Sequence, residues 1–149
     1  MALPRGVRNN NPGNIDYNPR NDWQGQLGIE EGVDRPRFAR FSDPVWGIRA
    51  MAKLILNYRG KDGMPGVGKA GIDTVREVIT RWAPGNENNT EAYVQMVAKA
   101  MRVQPNDPIQ LANRLLLTPM VAAIIRHENG YAPYDEDVVA QGVNLALGG

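Results

Sequence analysis

The sequence predicts a mainly α (α+β) single domain spanning residues 1–149, with a small β or irregular lobe at its N-terminus. Three observations support this. Residues 1–36 are rich in Asn, Gly, Pro and Arg; apolar residues recur at helical spacing from position 42 onward; and a series of capping residues, several followed by proline, divides that second part into helices.

The N-terminal stretch RNNNPGNIDYNPRNDWQGQLG favours turns over helices, because Asn, Gly and Pro stabilise turn geometries. Trp23–Ile29 and Arg37–Phe41 are expected to pair as a small antiparallel hairpin. Ser42-Asp43-Pro44 sets a cap before a proline at the first helical position, and Ile48, Met51, Ala52, Ile55 and Tyr58 follow on one face until Arg59-Gly60. Residues 60–72 hold five glycines and one proline and read as a loop. Thr74 and Glu77 have capping-box spacing for a short helix ending at Ala83-Pro84-Gly85. Thr90 is expected to cap a helix whose inner face carries Tyr93, Val97 and Met101, with Glu87 bracing the turn before it. Asp107-Pro108 is expected to open another, running to about Leu117. Thr118-Pro119 repeats the signal and starts a helix ending at Glu128. A last helix is expected from Asp135 or Asp137 to Leu147.

Composition narrows the function classes. With 42% hydrophobic and 22% charged residues the chain has the make-up of a soluble globular protein. Its 17 basic and 16 acidic residues nearly cancel, and its arginines are scattered, so no nucleic-acid partner is expected. The absence of Cys excludes thiol chemistry and disulfides, and the single His127 argues against an imidazole-built metal centre. No metal or organic cofactor is expected. No apolar run approaches the roughly eighteen residues of a membrane span, and no signal peptide opens the chain. The expectation is a protein made in the cytoplasm, without membrane insertion, whose export needs outside help.

The residue that stands out is Glu128, in AIIRHENGYAPY at 123–134. With Thr118 as cap and Gly130 turning the chain, Val121, Ile124, Ile125 and Glu128 share one stripe, so the glutamate continues the core-facing side. Apolar neighbours and the negative end of the helix dipole both disfavour its ionisation. A protonated acid near neutral pH is what cleavage of a glycosidic bond requires. The alternative is a structural carboxylate, paired with a nearby arginine or fading into solvent.

Longer motifs add a resemblance. RGVRNNNPGNI at 5–15, WQG at 23–25, RFARFSDPVWGIRAMAKLI at 37–55 and TVREVITRWAPGNENNTEAYVQMV at 74–97 look like a family of small phage and prophage proteins that are virion-associated or lysis-related. AIIRHENG is also similar to the acid-bearing helix of the lysozyme-like superfamily, including lytic transglycosylases and glucosaminidases. The NNPGNI turn, Trp23-Gln24-Gly25 and Phe38-Ala39-Arg40-Phe41 follow the order of glucosaminidase motifs. In those enzymes the glutamate helix comes first, whereas here it comes last, which implies a circular permutation. The resemblance implies a lysozyme-like fold in which Glu128 packs beside the Asn-rich turn and the Trp23 hairpin.

It implies, further, a peptidoglycan glycosidase of muramidase or lytic transglycosylase type, with glycan strands as substrate and Glu128 as general acid. The rival is a non-catalytic virion component or cell-wall binding module of the same shape. Glu30 is the preferred second carboxylate, chosen from Asp22, Glu30 and Glu31 in the hairpin region. Asn11, Asn14, Gln24 and Asn129 are candidate glycan-contacting amides, Trp23 and Trp82 candidate stacking platforms, and Tyr93 a candidate donor to the acid. Each has a structural alternative: Asx turns for the Asn run, core packing for the aromatics. The expected state is a monomer, with other virion proteins as further partners and the cell wall, reached by holin release or within a virion, as the place of action.

Overall fold

The computed structural model describes residues 3–85 and 87–148, with the side chains of Glu87 and Asn88 outside that description. A one-turn helix α1 (Arg5–Arg8) precedes strands β1 (Gln26–Ile29) and β2 (Ala39–Phe41). Helix α2 (Pro44–Asn57) runs into a 3-10 turn at Tyr58–Gly60, and α3 (Val75–Trp82), α4 (Glu87–Met101), α5 (Arg114–Asn129) and α6 (Glu136–Ala146) complete the domain.

The two strands are antiparallel, pairing Gln26 with Phe41 and Ile29 with Ala39, with an irregularity between Gln26 and Gly28. Only the second buries both its ends, Ala39 and Phe41, against the helices. The remainder of the lobe is held by side-chain amides rather than by a ladder. Asn11 donates to the carbonyls of Ile15 (2.9 Å) and Ala39 (3.0 Å) and accepts from the Ile15 amide (3.0 Å). Asn10 donates to the Phe41 carbonyl at 3.0 Å. The asparagine run thus satisfies backbone groups that no strand reaches.

Helix α2 begins as the Asp43-Pro44 signal requires, the Asp43 carboxylate accepting from the Val45 amide, and it buries Ile48, Met51, Ala52 and Ile55. It packs along α6, while α4 packs on both α3 and α5. The Thr74–Glu77 box is present: the Thr74 hydroxyl accepts from the Glu77 amide and donates to the Glu77 carboxylate at 2.9 Å. That carboxylate is itself buried and also accepts from the amides of Met64 (2.7 Å) and Asp73 (3.2 Å), clasping the glycine-rich loop to α3. The last helix starts after Asp135, as expected.

Two expected boundaries move. Thr90 does not cap α4, which is already helical from Glu87; its hydroxyl reaches back to the Ala83 carbonyl. Residues 107–113 form turns rather than a helix, and α5 starts at Arg114 with Asn113 as its cap, accepting from the Leu115 amide at 3.0 Å. Pro119 therefore lies inside α5. Its missing N–H forfeits the bond to the carbonyl of Leu115, in the exposed first turn of the helix. Thr118-Pro119 is thus an interior step of a helix that starts one turn earlier.

A candidate active site around Glu128

Helix α5 buries Val121, Ile124 and Ile125 completely or nearly so and closes on Gly130 in the left-handed conformation (φ 82°). Glu128 sits where that stripe reaches the surface. It is half-buried on a groove wall rather than carried into the core. The groove, of about 490 Å³, runs between the Asn-rich turn, the hairpin and the ends of α2 and α3; Asn14, Asp16, Arg37, Tyr58 and Trp82 line it with Glu128. A second recess of about 240 Å³ adjoins it, sharing Ala83 and Glu128 and continuing past Pro84, Thr90 and Tyr93. Glu128 thus stands at the waist of a bent cleft.

Two donors hold its carboxylate. The Tyr93 hydroxyl donates to Oε2 at 3.0 Å, and the Asn14 amide donates to Oε1 at 3.3 Å. Tyr93 is 3% exposed and its ring stacks on His127 with centroids 3.6 Å apart. Burial, and then the adjacent Glu128 carboxylate, push the Tyr93 phenol well above its ordinary range, so at neutral pH it is a protonated donor. A hydroxyl can also rotate and accept, so this contact can persist when Glu128 carries a proton.

The other sequence-derived candidates divide sharply. Asn14 and Tyr93 meet at the acid, and Trp82 lines the same groove. Asn129 does not reach the cleft: it is buried, and its amide donates to the carbonyls of Pro12 (2.9 Å) and Ile125 (2.8 Å), tying the end of α5 to the N-terminal turn. Asn11 is wholly buried and spent on backbone, as described above. Trp23 packs half-buried against the core, and neither it nor the exposed Gln24 lines the groove. The Asn-rich turn therefore meets Glu128 as the resemblance implies, while the Trp23 end of the hairpin points elsewhere.

Glu30 is the clearest correction. It is 2% exposed and faces α1, where it is paired with the Arg5 guanidinium. It also accepts from Asn9 Nδ2 (3.1 Å) and from the amides of Arg37 (2.8 Å) and Phe38 (3.1 Å). The Arg5 bond first, with those donors adding to it against the opposing effect of burial, lowers its carboxyl to about 2. A carboxylate so saturated braces the hairpin and has no lone pair to offer a substrate. The carboxylate that does share the groove with Glu128 is Asp16, which accepts from Arg37 Nε at 2.6 Å in an exposed pair. Asp16 is not among the sequence-derived candidates, and its place in the Asn-rich turn is the signal that points to it. No cluster of metal-ligating side chains occurs among the described residues, and no described helix is long and apolar enough to cross a membrane.

The described residues define a mainly α chain with a small two-stranded sheet and a groove-borne glutamate. No protein-family model matches the chain. It is 35% identical over 140 residues to Protein P5 of Pseudoalteromonas phage PM2, an alignment covering 93% of this chain and 79% of P5. The chain belongs to the family of this bacteriophage protein.

Proposed function

We propose that the chain is a phage-encoded enzyme that cleaves the β-1,4 glycosidic bond of bacterial peptidoglycan glycan strands, as a muramidase or lytic transglycosylase of lysozyme-like type, with Glu128 as the general acid. The observation that carries the reading is the position of Glu128: at the waist of an open cleft, fixed by Tyr93 and Asn14, with Trp82 beside it. The Trp82 indole on the groove wall suits the apolar face of a pyranose ring, and the amides of Asn18 and Asn21 in its lining suit hydroxyl and N-acetyl groups.

In this reading Glu128 delivers its proton to the bridging oxygen as the bond from that oxygen to the anomeric carbon breaks. The resulting carboxylate then takes a proton from the incoming nucleophile. Tyr93 and Asn14 stabilise the carboxylate as it forms. If the nucleophile is water, Asp16 is the groove carboxylate available to assist it; if it is the muramic 6-hydroxyl, Glu128 suffices alone. Kinship with a phage protein fits action on a cell wall, either after holin-mediated release or from within a virion.

Mass spectrometry of fragments released from purified peptidoglycan tests the chemistry. Reducing muramic acid ends mean hydrolysis by a muramidase, anhydro-muramic ends mean transglycosylation, and reducing N-acetylglucosamine ends mean a glucosaminidase. If the wild type releases no fragments, the protein is a non-catalytic wall-binding or virion component.

A further inference from the structure

We infer that Gly6, in the one-turn helix α1, is a positioning residue for Glu128. Gly6 is buried against the end of α5. A Cβ at this position would lie 2.6 Å from Asn129 Oδ1, 2.9 Å from the Asn11 carbonyl oxygen and 3.1 Å from Asn14 Oδ1. Both side-chain oxygens are buried without a hydrogen-bond partner.

Their orientation is not arbitrary. Turning the Asn14 amide over would aim its oxygen at the Glu128 carboxylate, and turning Asn129 would oppose its oxygen to the carbonyls of Pro12 and Ile125. The donors are committed to Glu128 and to the tether, so the oxygens must face Gly6. Only a residue without a side chain leaves them room there. Asn14 is further constrained by a left-handed backbone (φ 51°), which fixes where its amide can point. Gly6 thus sets two amides, one of which grips the acid while the other anchors the residue next to it. A methyl group at position 6 would displace Asn129 and crowd Asn14 by a few tenths of an ångström, loosening the hold on Glu128 from its Asn14 side, although Gly6 never touches the cleft. The catalytic consequence rests on the proposed role of Glu128; the geometric one does not.

The test is the carboxyl ¹³C signal of Glu128 in the full chain, assigned by its loss in Glu128→Gln, compared among wild type, Gly6→Ala and Asn14→Gly. The second variant keeps the left-handed backbone while deleting the amide, and so calibrates the shift that loss of the Asn14 contact produces; if Gly6→Ala does not fold, Gly6→Ala combined with Asn129→Gly, which removes the 2.6 Å contact, takes its place. Both variants are expected to move the signal at fixed pH in the same direction. Where the wild type releases peptidoglycan fragments, both should lower the limiting rate, Asn14→Gly about tenfold for the loss of one hydrogen bond and Gly6→Ala by less, with half-saturation little changed. A Glu128 signal unmoved in a folded Gly6→Ala, or in Asn14→Gly, overturns the inference. A moved signal in a wild type that releases nothing sustains it and overturns the catalytic reading instead.

Discussion

Replacing Glu30 by Gln removes the charge that pairs with Arg5 while keeping the side chain's size. The carboxyl lies near 2 in the folded chain, against an ordinary value of 4.5. That difference corresponds to on the order of 3 kcal/mol of stability at neutral pH. The sign follows from the direction of the shift. A lowered carboxyl stabilises the fold above its unfolded value and loses that contribution as pH falls from about 4.5 toward 2. At about pH 3 roughly 1.4 kcal/mol should remain, and near pH 2 roughly 0.4 kcal/mol. Urea unfolding of wild type and Glu30→Gln at pH 7, 4 and 3 reads this directly. The gap between the two proteins should be widest at pH 7 and should narrow with acid, while the variant, where folded, keeps whatever wall-cleaving activity the wild type has. A gap that is independent of pH, or below about 0.5 kcal/mol at pH 7, would refute the buried ion pair as the brace of the hairpin. Loss of activity in a fully folded Glu30→Gln would return Glu30 to the reaction.

Three further substitutions probe other parts of the structure. Tyr93→Phe removes the 3.0 Å bond to Glu128 and should slow fragment release on the order of tenfold, the equivalent of about 1.4 kcal/mol, in initial-rate measurements with little change in melting temperature. Gly47→Ala would put a Cβ 2.0 Å from the Asn10 carbonyl oxygen, where α2 meets the Asn-rich turn, and should destabilise by about 1–3 kcal/mol in urea. Pro119→Ala should restore the bond to the Leu115 carbonyl and stabilise α5 by about 1 kcal/mol, less what the proline removes from the unfolded chain's freedom; a lower melting temperature would show that the ring's packing matters more than the bond.

Much of this fold was legible because local rules decide it. The Asp43-Pro44 start, the Thr74–Glu77 box, the glycine-rich loop and the αL stop at Gly130 each depend on residues a few positions apart. Helix α5 was misjudged where two local signals competed. Thr118-Pro119 reads as a start, yet the apolar face already includes Leu117, which is fully buried, and tertiary packing drew the helix back to Asn113. The acid was legible through its stripe, but the stripe could not say whether it ends inside the core or at its rim. Glu30 was misread because its partner, Arg5, lies 25 positions away, and no spacing rule reveals such a pair. Asn11 and Asn129 looked like ligand contacts for the same reason: which amides face a groove and which satisfy backbone depends on how the N-terminal turn meets the end of α5.

The most direct test of Glu128 is to measure binding and release together on purified sacculi, for wild type and Glu128→Gln. Asn14 can still donate to the oxygen of the new side chain, and the Tyr93 hydroxyl can turn to accept from its amide nitrogen, so the cleft should keep its shape. The expected result is that both proteins sediment with the wall to the same extent and only the wild type liberates soluble muropeptides. Equal release by the two would contradict a catalytic Glu128, and release by neither would leave a wall-binding or virion protein in place of an enzyme.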